Sequence, residues 1–216
     1  MKLEKTSSLG LTVWAGWDAR GGVSPDEGLK AFVAEDGWSR NEERYELIAV
    51  AARGFRPPRF VSRTESGSDP TEPESPFGDA LRQTWSMRYE RVRPVPSDVV
   101  PPYAIYLLGV NPPDGASPGD LVVFEEFYVD VHVREVAKRR KALRAVPHRL
   151  VEVLKPPYKG APAFLTAYEL DEASASVRRH VGPPYSQGPD VWQRHSTPWR
   201  LWYRRLTAGE PRTLGG

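Results

Sequence analysis

The sequence predicts an α+β protein of two related halves, each an antiparallel sheet with helices on one face. Three observations carry this expectation. A strand, turn and capped helix occur twice, over Thr12 to Pro25 and Ile105 to Pro118, with Gly16 and Gly109, Ser24 and Ser117, and Pro25 and Pro118 each 93 positions apart. The halves close on matching runs, Trp85 to Val92 and Trp199 to Leu206, at a spacing of 114. Between them, Arg93 to Pro102 carries four prolines, which bias the chain toward extended conformations and mark a linker. The expected units are residues 1–95 and 103–208, and a duplicated unit readily encloses a pocket between its copies.

In the first half, Leu11 to Trp17 is apolar and aromatic and ends at Asp18 before a Gly21-Gly22 turn, which reads as a strand. Ser24-Pro25-Asp26-Glu27 is a capping box with proline at the first helical position, so a helix starts there and turns Leu29, Phe32 and Val33 inward. Asp36-Gly37 interrupts it. A second box, Ser39 to Glu42, restarts a helix bearing Tyr45, Ile48, Ala49 and Ala52 at helical spacing, with Gly54 as its stop. Arg59 to Thr64 reads as a strand, residues 65–78 as an acidic Pro/Ser/Gly loop, and Trp85 to Val92 as the closing strand.

The second half opens on a strand, Tyr103 to Val110, followed by a helix capped at Ser117 and running to about Ala142. Phe124, Phe127, Tyr128, Val131, His132 and Val136 form its buried stripe. Lys138 to Lys141 place cations where the helix dipole favours them. Strands follow over Arg149 to Leu154 and Ala163 to Leu170, then a short helix over Asp171 to His180. A long loop over Val181 to Pro198 precedes the final strand and carries Tyr185, Trp192 and His195, which marks it as a lid.

Thirty Lys and Arg against 28 Asp and Glu leave a net charge of +2, too little to indicate a nucleic-acid partner. Without cysteine the chain has no disulfide, thiolate metal site or thiol nucleophile. No stretch approaches 18 uninterrupted apolar residues, so no membrane partner is expected and a cytoplasmic protein is the default. No histidines and carboxylates stand at metal-ligand spacing.

Strand, long helix, strand, strand, short helix, strand is the ferredoxin-like order, and residues 103–206 follow it. The helix segment Phe124 to Val136, with Tyr128 four residues before His132, and the later strand containing Tyr168-Glu169-Leu170, resemble the dimeric α/β-barrel superfamily. That superfamily includes EthD-like proteins, antibiotic-pathway monooxygenases and polyketide cyclases. The resemblance covers about half the chain. It implies two tandem ferredoxin-like units whose antiparallel sheets close an intramolecular α/β barrel, with a pocket between sheet and long helix. The first unit departs from the pattern: 19 residues separate Glu65 from Trp85, where 43 separate Lys155 from Trp199. Its third strand and second helix are therefore expected to be shortened or lost, leaving that unit degenerate.

The chemistry-bearing candidates follow from both readings. His132 lies one helical turn from Tyr128 and two from Phe124, and an imidazole near neutrality can accept and return a proton. Tyr128 can donate to a developing oxyanion. Asp18, beside Trp14, and Glu169, in an apolar strand, are candidate bases. The plainer readings are a core histidine, a core tyrosine, a turn ion pair at Asp18 and a wet-face glutamate at position 169. Trp14, Phe124, Tyr185, Trp192 and His195 are the expected aromatic lining for a planar ligand. Together these point to a cofactor-free enzyme, monomeric or homodimeric, acting on a small aromatic or polyketide-like substrate. A cyclase is the first expectation and a monooxygenase of a phenol the second. A non-catalytic carrier, or a haem protein using His132 or His195 as axial ligand, is the alternative from another class.

Overall fold

A computed structural model describes residues 10–34, 42–51, 56–66, 77, 79–94, 100–157, 160–177 and 184–207. Eight strands form a closed antiparallel barrel: β1 (Leu11–Ala19), β2 (Glu42–Val50), β3 (Phe60–Ser66), β4 (Leu81–Arg91), β5 (Ala104–Asn111), β6 (Arg144–Lys155), β7 (Phe164–Leu170) and β8 (Ser196–Arg205). Around the barrel the order is β1-β3-β2-β8-β5-β7-β6-β4. The first four strands are contiguous in it, as are the last four, and the β2–β8 and β4–β6 ladders join the two quartets. Among the described residues five helices lie outside: α1 (Pro25–Val33), α2 (Pro118–Phe127), α3 (Val133–Arg140), α4 (Glu172–Ser176) and α5 (Asp190–Gln193), with a π-helical turn at Tyr128–His132 between α2 and α3.

The caps read at Ser24 and Ser117 both form. Ser24 Oγ accepts from the Glu27 amide at 3.2 Å and Ser117 Oγ from the Asp120 amide at 3.1 Å, each with proline at the helix start. The matching motifs also make matching contacts. Gly16 is opposite Trp85 across the β1–β4 ladder, and Gly109 opposite Trp199 across β5–β8. A Cβ on Gly16 would lie 2.5 Å from the Trp85 ring and 2.7 Å from Pro58, and one on Gly109 would lie 2.9 Å from both Pro162 and Trp199. Two hydroxyls reciprocate between quartets: Tyr89 donates to the Pro162 carbonyl at 2.9 Å and Tyr203 to the Pro58 carbonyl at 3.1 Å.

The chain buries three apolar groups. Trp14, Tyr45, Trp85, Met87, Tyr89, Trp199, Leu201 and Tyr203 belong to the barrel interior. Trp17, Phe32, Phe60 and Leu81 pack α1 against the outside of the first quartet. Tyr106, Phe124, Tyr128, Tyr168, Trp192 and Trp202 fill the space between the second quartet and α2, α3 and α5. Strands β5 and β7, apolar on both faces, lie between two of these groups and are buried almost throughout.

The structure corrects two expectations. Residues 42–50, read as the end of a helix, are strand β2, and the first quartet therefore keeps all four strands. Their true period is two: Glu43 and Tyr45 sit opposite Arg63 and Val61 of β3. The charged residues between them are not a wet helix face. Arg44 is fully buried, hydrogen-bonded to the Phe32 carbonyl and Glu42 and stacked over Phe77 at 4.7 Å. Second, the long helix from Ser117 is not regular, because the π turn interrupts it at the residues singled out for chemistry. The expected Ser39 cap, the Asp36-Gly37 break, the Gly54 stop and His180 lie outside the described residues, as does most of the 65–78 loop.

Candidate small-molecule site

Six of the nine candidate residues converge between β7 and the α2–π–α3 segment. Tyr128 and His132 are the first and last residues of the π turn and stack at 6.1 Å and 24°. Phe124 continues the stack beneath Tyr128 at 6.4 Å. Trp192, on α5, covers the group, with its ring 4.6 Å from His132, 5.9 Å from Tyr128 and 5.2 Å from Phe124. His195 stacks on the outer face of Trp192 at 4.1 Å, its Nδ1 2.6 Å from the Trp192 carbonyl, and Tyr185 meets the His132 edge at 5.3 Å.

The loop carrying these three residues is held in two ways. Its buried anchor is Trp192, together with Gly188, whose φ of +71° and lack of a side chain admit Phe127: a Cβ there would lie 2.6 Å from that ring. Its outer anchors are exposed. Ser186 donates to Glu135 from both amide and hydroxyl, and Arg139 lies 3.6 Å over the Tyr185 ring. Exposed polar contacts of this kind contribute about 0–1 kcal/mol each.

Burial sets the electrostatics. His132 is 9% exposed, its Nδ1 has no hydrogen-bond partner, and desolvation, reinforced by His195, pulls its pKa down to about 4. The imidazole is therefore neutral at pH 7. The Tyr128 hydroxyl lies 2.6 Å from Thr166 Oγ1, and burial drives its pKa well above the ordinary phenol range, so it stays protonated. Thr166 escaped sequence reasoning because a lone threonine in a strand has no signature. The π turn escaped because an i, i+4 pair reads identically in an α-helix.

The other three candidates lie elsewhere. Asp18 accepts the Arg59 amide at 2.8 Å and so closes the approach to β3. Trp14 is inside the barrel, edge-on to His148 at 6.1 Å. Glu169 does lie on the face opposite Tyr168, but that face is dry. It is fully buried in the barrel, bonded to Arg63 at 3.1 Å and to Arg144 through two bonds of 2.8 Å. Neither carboxylate reaches His132. Arg63 also pairs with Glu43, which accepts the Tyr45 hydroxyl at 2.8 Å. His148, which nothing in the sequence singles out, is buried, and desolvation first, with Arg63 second, brings its pKa to about 3.

No family model matches the chain, and no curated protein matches it. A solved chlorite dismutase-like protein shares its fold with a TM-score of 0.53 at 10% identity, over 94% of this chain and 97% of that one. That neighbour is of the dimeric α/β-barrel, ferredoxin-like family, so the likeness read from sequence holds at the level of fold. Among the described residues, no helix is long and apolar enough to cross a membrane.

Proposed function

We propose that the protein binds a planar aromatic or polyketide-like molecule between its second quartet and the α2–π–α3 segment, and that His132 exchanges protons with it. The observation that supports this most is the π turn. It interrupts regular helix across the stacked pair Tyr128 and His132, a kind of irregularity frequent at functional sites. A ligand enters as the loop over Tyr185 to His195 lifts and exchanges the stacking of Trp192 for its own ring. Neutral His132 accepts a proton from an acidic C–H or phenolic O–H, and Tyr128 donates a hydrogen bond to the oxygen on which charge develops. Desolvation is the main cause of the low His132 pKa, so a polar ligand group beside it raises the basicity of the imidazole. Deprotonation of this kind opens ring closure, our first reading, and reaction of a phenolate with oxygen, our second.

Haem meets a specific obstacle. The unpartnered Nδ1 of a neutral imidazole has the chemistry of an axial ligand. In this packing, however, Trp192, Tyr185 and Tyr128 crowd the ring at 4.6, 5.3 and 6.1 Å, and a macrocycle is far wider than the tryptophan ring whose place a ligand takes when the loop lifts. No step is therefore derived through haem.

We also read residues 1–95 and 103–208 as diverged copies of one ferredoxin-like unit. Support comes from the paired capping boxes, the paired glycine–tryptophan contacts and the reciprocal tyrosine–proline bonds.

Tryptophan quenching by a hydroxylated anthraquinone tests the site. Saturable quenching is expected, weakened at least tenfold in Trp192→Ala and with its pH dependence removed in His132→Gln. Absence of saturable binding refutes the proposal. A Soret band in the purified protein that disappears in His132→Ala replaces it with haem binding.

A further inference from the structure

A cleft of about 330 Å³ lies where β8 ends and β5 begins. Among the described residues its apolar walls are Leu29, Pro101, Pro102 and Leu206, and its polar lining includes Arg204 and Arg205. None of the residues proposed above for the small-molecule site lines it. The size is at the lower end of the range that takes organic ligands.

The charge around it is unbalanced in a specific way. Arg205 ends one chain of ion pairs, in which Arg205, Arg63 and Arg144 share Glu43 and Glu169. Arg204 ends a second chain, in which Arg204 and Arg59 share Glu46. The second chain holds two guanidinium groups against one carboxylate, and both chains end at the cleft. Arg205 stands 3.7 Å from Glu43, beyond hydrogen-bond reach, and Arg204 gives Glu46 one bond, so both half-buried guanidinium heads keep donors for a further acceptor. A cationic excess partly withdrawn from water is stabilised by an anion placed against it.

We infer that this cleft is a second binding site, which takes an organic acid whose anionic head meets Arg204 and Arg205 and whose apolar body lies along Leu29, Pro101, Pro102 and Leu206. The anion completes both ion-pair chains, and the proline-lined wall accepts aliphatic or aromatic carbon without offering it a hydrogen bond.

Calorimetric titration of the full-length protein with decanoate tests the inference, with decan-1-ol and inorganic phosphate as the uncharged and headgroup-only probes. Saturable decanoate binding is expected, at least about tenfold tighter than decan-1-ol, because charge-assisted hydrogen bonds carry the difference. Arg204→Gln and Arg205→Gln each weaken it at least tenfold while the folded signal in circular dichroism is kept, Arg204→Lys restores part of the loss, and His132→Ala changes nothing. Equal affinity for decan-1-ol, indifference to both glutamine variants, or no saturable binding overturns the site. Phosphate binding without decanoate binding overturns the amphiphilic assignment, and loss in His132→Ala moves the ligand to the other site. Should either glutamine variant unfold, the lysine variant and the comparison of the three probes on the unaltered protein decide.

Discussion

Replacing Arg63 with methionine tests the ion pair that crosses the barrel from β3 to β7. Arg63 and Glu169 are 4% and 0% exposed, and their contact at 3.1 Å joins opposite quartets through the barrel interior. Losing the guanidinium does not strand the carboxylate, since Arg144 still holds Glu169 through two bonds of 2.8 Å. The expected loss is therefore at the lower end of the range for a broken buried pair, about 3 kcal/mol. Glu169→Leu is harsher: it removes the Arg63 and Arg144 bonds together and leaves Arg63 with Glu43 as its carboxylate partner, for about 4–5 kcal/mol. In the double variant, leucine and methionine refill the volume and no unpaired charge faces another, so the two losses fall short of additivity by about 2 kcal/mol. Urea unfolding followed by tryptophan fluorescence measures all three, because Trp14 lies against Arg63 at 5.7 Å and reports on this region. An Arg63→Met cost under about 0.5 kcal/mol, the size of an exposed pair, refutes the argument that the pair is dry.

Three further outcomes are expected. His132 and His148 have folded pKa values of about 4 and about 3, both depressed from 6.5. The unfolded chain thus takes up protons first: stability is full above pH 6.5 and falls on acidification toward pH 4, by about 1.4 kcal/mol per pH unit for each histidine. Melting temperatures from pH 7 to 4.5 check this, and His148→Asn halves the slope. Gly16→Ala forces a methyl group against Trp85 and Pro58 and costs about 1–3 kcal/mol in denaturant titration, whereas Gly21→Ala, whose Cβ meets nothing within 4 Å, stays within about 0.5 kcal/mol. Tyr128→Phe removes the bond to buried Thr166 and lowers stability by about 1–2 kcal/mol by the same measurement, with Tyr128→Phe/Thr166→Val recovering part of it.

Where physics is local, the chain was readable in advance. Ser24 and Ser117 cap their helices through the bonds their spacing implies, and the largely apolar runs of β5 and β7 are strands. Strand β2 was not readable, because its alternation is masked by charge: Arg44 and Glu46 are buried by neighbours distant in sequence, Arg44 beneath Phe32 and Glu46 between Arg59 and Arg204. In the site, helical spacing placed Phe124, Tyr128 and His132 together, and loop aromatics placed Tyr185, Trp192 and His195 over them. Alternation told which residues share a face of β7 but not that one face lines a closed barrel, so Glu169 and Trp14 fell inside it, away from His132. Nothing local marks Arg63 as the partner of a residue 106 positions away.

Closure of the ring has a consequence for biogenesis. The final strand slots between β2 and β5, joining positions 45 and 205. Until the ribosome has released β8, both of those neighbours present bare amide and carbonyl rows, the template on which stray chains pair. A nascent chain stalled before residue 196 is thus sticky at two margins, and maturation is slow because its decisive ladder joins segments about 160 positions apart. Chaperone dependence should track truncation at that point more closely than any substitution in the core.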